Sequence, residues 1–90
     1  MTSTEQLVAD RRETHGRYDD HARITQTFKM LMEQELAERS QRGQAMLSYT
    51  QKESLDMILH KIGRIIAGEA SFPDHWDDIA GYAKIANGVD

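Results

Sequence analysis

An all-α fold follows from three features of the sequence: apolar residues recur at three- and four-residue intervals, no stretch alternates apolar with polar residues or gathers β-branched ones, and chain breakers are scarce. One proline and six glycines interrupt 90 residues, of which 29% are charged. The expected architecture is a small bundle of three to four helices, one domain over residues 1–90, with helices at about 4–13, 20–38, 51–67 and 73–86. So short a chain hides only roughly 60–65% of its unfolded surface. Homo-oligomerisation, in its simplest form a homodimer, is therefore expected to complete the core.

Each helix has a local reason. The first is announced by Ser3 and Gln6 at capping-box spacing and carries a thin stripe of Leu7 and Val8 before His15-Gly16 turns the chain. Asp19 or Asp20 suits the N-cap of the second, whose apolar face is Ile24, Phe28, Leu31, Met32 and Leu36. The polar stretch from Glu38 to Gln44, with Gly43 as a break, reads as a loop. Thr50 and Glu53 form the expected capping box of the third helix, ahead of a core stripe of Leu55, Ile58, Ile62, Ile65 and Ile66 that Gly68 stops. Pro73 suits the first position of the fourth, which is expected to bury Trp76, Ile79, Ala80 and Ala83 and to end at Asn87-Gly88.

Composition narrows the function. A net charge of −4 is wrong for direct binding to nucleic acid, which needs a basic face. The absence of cysteine excludes thiolate metal sites and disulfides, and fits a reducing compartment. No apolar run approaches the ~20 residues that cross a bilayer, and MTSTEQLVAD lacks a secretory pattern, so no membrane association and a cytoplasmic location are expected. No serine stands in a nucleophile elbow, and no tight histidine pair suggests zinc.

The residues with chemical content lie on two helices. On the third, Asp56, His60 and Arg64 follow at four-residue spacing with Lys61 beside them; on the fourth, Asp74, Asp78 and Tyr82 repeat that spacing. If the helices pack antiparallel, the stripes converge. Three carboxylates then hold Mg²⁺ (Asp56, Asp74, Asp78), and Lys61 and Arg64 neutralise phosphate, which makes a nucleotide or nucleotide-like small molecule the natural ligand. His15 and Tyr18, in the polar segment Thr14-His15-Gly16-Arg17-Tyr18, and Tyr82 are the expected contacts to base or sugar. A structural alternative stands beside this one: Glu53 is used by its cap, and Asp74, Asp77 and Asp78 suit the first turns of a helix through the macrodipole.

Two blocks carry a resemblance. RRETHGRYDDHA (residues 11–22) and SLDMILHKIGRIIAGEASFPDHWDDIAGYAKIA (residues 54–86) look like a family of small phage and prophage proteins of unknown function, through Thr14, His15, Gly16 and Tyr18, then Asp56, Lys61 and Arg64, then Asp74, His75, Trp76, Asp78, Gly81 and Tyr82. The second block is more distantly similar to phage nucleotide-modification-associated domains and to the all-α nucleoside triphosphate pyrophosphohydrolases of the MazG and dimeric dUTPase type. That similarity implies Mg²⁺ held by two acidic motifs, here Glu53-x₂-Asp56 and Asp74-x₂-Asp77, with Asp78 competing. Aspartate stands for glutamate at two of those places, which favours binding over hydrolysis. The functional expectation is a phage-type nucleotide-binding protein, possible Mg²⁺-dependent pyrophosphohydrolase chemistry included. The alternative is a non-catalytic interaction protein that inhibits a host defence protein or sequesters a nucleotide signal.

Overall fold

A computed structural model describes residues 3–88. Four helices follow one another: α1 (Thr4–His15), α2 (Tyr18–Gln41), α3 (Tyr49–Ala67) and α4 (Pro73–Ala86), and among the described residues there is no strand. The fold is all-α. Short connections make α2, α3 and α4 antiparallel neighbours, with α3 in the middle and α2 and α4 flanking it without meeting. α1 lies across one end, against α3 and α2.

The helix starts differ in part from expectation. Ser3 caps α1, its hydroxyl accepting from the Gln6 amide. α2 starts earlier than the aspartates suggest. Arg17 is its N-cap without a side-chain bond, and Asp19 and Asp20 lie in the first turn, where the dipole rather than a cap favours them. The capping box of α3 is Ser48 with Gln51, not Thr50 with Glu53. The two candidate boxes overlap, and the upstream one satisfies the Ser48 and Gln51 amides while adding Tyr49 and Thr50 to the helix. The expected loop at Glu38–Gln44 is helical as far as Gln41, and the break falls at Gly43, whose φ is +78°.

Packing between helices is set by backbone approach. Gly63 on α3 lies so close to Thr25 and His21 on α2 that a Cβ there would overlap the Thr25 hydroxyl. Thr25 is 1% exposed, and its Oγ1 has no hydrogen-bond partner among the described residues. A second approach joins the α1–α2 turn to the end of α3: Gly16 faces the Ala67 carbonyl, and Gly68 faces Thr14, His15 and Gly16. Thr14 O accepts from the Glu69 amide at 3.0 Å and from His75 Nε2 at 3.0 Å. His75 is 1% exposed and must carry its proton on Nε2, because a carbonyl only accepts. One carbonyl thus ties α1, the α3–α4 connection and α4 together.

The apolar stripes are not buried. Among the described residues the buried side chains are polar, namely His21, Thr25, Ser54, Lys61 and His75, and no large apolar side chain is buried. Leu55 and Ile66 on α3 stay 39% and 57% exposed, and Trp76, expected as a core anchor, is 54% exposed with its indole N–H donating to Ala70 O at 2.7 Å. The reason is topological. α2 and α4 grip α3 on two flanks, and no other helix covers the side on which Leu55 and Ile66 lie.

Candidate functional site

The expected acidic centre is distributed rather than assembled. Asp56 lies on the α2 side of α3, where Lys52, one turn before it on the same helix, donates to both its oxygens at 3.0 Å and also reaches Glu33 of α2 at 2.8 Å. Those two carboxylates raise the Lys52 pKa through their hydrogen bonds. Asp78 faces the other flank of α3 and pairs with Lys61 at 2.8 Å. That bond holds the Asp78 carboxyl below its ordinary range. Helical geometry separates the two pairs, since Asp56 and Lys61 are five residues apart and so about 140° apart around α3. Asp74 is exposed. Among the described residues no three histidine, aspartate or glutamate side chains stand close enough to hold a metal ion. The donors of one protomer therefore do not fit a resident Mg²⁺.

What the fold does assemble is cationic. A cleft of about 240 Å³ opens between α1, the start of α2 and the last turn of α3, lined by Arg11, Arg12, His15, Tyr18, His21 and Arg64 together with Val8 and Gly16. Three of the expected ligand contacts meet here: His15, Tyr18 and Arg64. Lys61 is engaged with Asp78, and Tyr82 lines a separate shallow depression with Tyr49, Glu53 and Ile85. Arg11, Arg12 and His21 are the contributors that sequence reasoning did not name as ligands. A signal for two of them existed: Val8, Arg11, Arg12 and His15 recur at helical spacing on α1, so an arginine pair shares a face with the histidine.

Electrostatics mark the cleft as positive. Neither Arg11, Arg12 nor Arg64 has a carboxylate within ion-pair distance among the described residues. Burial and the neighbouring Arg11 lower the Arg64 pKa, burial outweighing the charge. His15 is lowered by burial first and then by Arg64, His75, Lys61 and Arg11. His21 is lowered by burial and Arg64, although its Nε2 donates to His60 O at 3.2 Å. Tyr18 is 76% exposed at the rim and presents its ring to whatever extends from the cleft.

The histidines also set an acid limit. His60 packs its ring on that of His21 with centroids 4.4 Å apart, and burial, then His21, lowers its pKa to about 4. A histidine depressed in the folded state is neutral in both states above pH ~6.5, and the unfolded chain gains protons first as the pH falls. Stability is therefore expected to decline between about pH 6.5 and 4, by roughly 1–2 kcal/mol for His60 once solvent screening of this half-exposed ring is allowed for. Urea denaturation at pH 7.5 and 4.5 checks this, and His60→Gln should flatten the difference.

Comparison with known families gives one match: a family model described as Domain of unknown function (DUF6378) covers residues 1–90. Neither a curated protein nor a solved structure matches the chain.

Proposed function

The chain belongs to this family, and from that premise we propose that it captures a phosphate-bearing small molecule, a nucleotide, in the arginine cleft, without a resident metal and without turnover. The observation that carries this is three arginines without carboxylate partners among the described residues and two histidines around one concave site in a protein of net charge −4. A partly buried guanidinium with unused donors, Arg64, beside the two exposed ones of Arg11 and Arg12 seeks a planar or tetrahedral oxyanion. Phosphate groups fit the cleft, and a base emerging from it meets the Tyr18 ring. The likeness of Glu53-x₂-Asp56 and Asp74-x₂-Asp77 to the pyrophosphohydrolase motifs supports a nucleotide as the phosphate bearer. The engagement of Asp56 and Asp78 by lysines supports binding over hydrolysis, as does the lack of fit for Mg²⁺, so no step through the metal is assigned. In the phage setting suggested by the sequence blocks, such a protein withdraws a nucleotide from a host defence system.

Calorimetric titration with nucleoside mono- and triphosphates and with pyrophosphate, at low salt and with EDTA, should give saturable heat. Arg64→Ala should weaken binding about 10- to 100-fold, the worth of a charge-assisted hydrogen bond of ~1.5–3 kcal/mol. Asp74→Ala should leave affinity unchanged. Affinity should rise as the pH falls below 6.5, since an anion favours the protonated His15 and His21. Absence of heat with every phosphate, or loss of binding in Asp74→Ala but not in Arg64→Ala, would overturn the assignment.

A further inference from the structure

We propose that the uncovered apolar side of the α2–α3–α4 layer is closed by a second copy of the same chain, two layers meeting face to face about a two-fold axis.

The layer has two sides, and the one that holds the ion pairs also carries Met30, Tyr49 and Ile85 among its charged residues. On one, Asp56 and His60 of α3 lie beside Glu33 and Lys29 of α2, and Arg64 feels Asp78 and Tyr82 of α4. At about 100° per residue, the opposite side of α3 carries Leu55, Ile62 and Ile66. Leu31 of α2 and Trp76 of α4 project from the flanks opposite to Glu33 and Asp78, so they fall on that same side. Leu31, Leu55, Ile66 and Trp76 are each between 39% and 57% exposed. These residues come from three helices, and among the described residues no ion pair falls between them.

The area says what covers it. The chain exposes 6682 Å², whereas a compact monomer of its 10.3 kDa mass exposes ~5,400 Å². Its radius of gyration is 15.5 Å against ~12 Å for a compact chain of this length. The excess is about 1,300 Å². Two copies burying that much each remove ~2,600 Å² in total, within the ~2,000–5,000 Å² of obligate homodimers. A two-fold pairing suits a single self-complementary patch, and it gives Leu55 and Ile66 of α3 the cover that one layer lacks. The arginine cleft opens on the side where α1 packs, so it stays accessible in the pair.

Light scattering at tens of micromolar should give twice 10.3 kDa, and tenfold dilution should lower the urea midpoint. Leu55→Glu with Ile66→Glu should yield a 10.3 kDa species or an unfolded chain, whereas Glu53→Lys on the polar side should remain a dimer. A wild-type mass of 10.3 kDa with a midpoint independent of concentration would overturn the pairing. A dimer that survives both glutamates would overturn the face. Either result leaves the titration of the cleft to stand or fall separately.

Discussion

Gly16→Ala is expected to remove about 3 kcal/mol or more of stability, enough to leave much of the chain unfolded at room temperature. Two independent costs combine. Gly16 has φ +78° and ψ −177°, a region that is essentially confined to glycine and costs other residues ~1–3 kcal/mol. A Cβ at this position would also overlap the Ala67 carbonyl at the end of α3, which lies on fixed backbone and has nowhere to yield. Gly43 supplies the comparison. Its φ is also +78°, but a Cβ there meets nothing within 4 Å, so Gly43→Ala should cost only ~1 kcal/mol. Urea denaturation followed by circular dichroism measures both, and equal losses in the two variants would refute the close-approach argument.

Gly63→Val should cost about 3 kcal/mol by forcing α2 and α3 apart. Alanine in a helix interior is worth ~1 kcal/mol more than glycine, so a loss on enlarging Gly63 cannot come from helix propensity. It comes from overpacking against Thr25 and His21, both buried. Thr25→Ala in the same chain makes room at the hydroxyl and should recover part of the loss. Because Thr25 Oγ1 is buried without a partner, its removal forfeits no hydrogen bond. Additive losses in the double variant would show that the two positions do not touch. The same measurement reports on the cleft, since His21 joins the α2–α3 contact to the ligand side.

Thr14, His15 and Gly16 show how a motif divides between structure and chemistry. In the sequence the three read as one polar turn with donors for a ligand. In the fold, Thr14 contributes its carbonyl to the Glu69 amide and to His75, Gly16 allows the turn to meet α3 and lines the cleft with backbone, and His15 brings its side chain to the cleft. His75 belongs with the first two. Its ring stacks on Phe72 with centroids 4.9 Å apart, which seats the start of α4.

The acidic residues divide in the same way. Spacing correctly places Asp56, His60 and Arg64 on successive turns of α3, and Asp74 and Asp78 on successive turns of α4, but the angle between two stripes depends on where a neighbouring helix sits. Lys52 draws Asp56 toward α2 and Lys61 draws Asp78 onto α3, so each carboxylate has a cation of its own. Two lysines, one spaced four residues from Asp56 and one on another helix from Asp78, decide the difference. Only the first is visible as a spacing.

Periodicity, caps and breakers determined that the chain is helical and which residues share a helix face, because those properties depend on neighbours within a turn or two. Which face meets which was settled by backbone approach at Gly16, Gly63 and Gly68, contacts between residues roughly 40 to 55 positions apart that no local pattern encodes. Tertiary structure alone therefore dispersed the carboxylates, gathered Arg11, Arg12 and Arg64 around His15, and left Leu55 and Ile66 of α3 exposed. A stripe of apolar residues states that a surface must be buried; only the positions of the other helices state whether this chain buries it by itself.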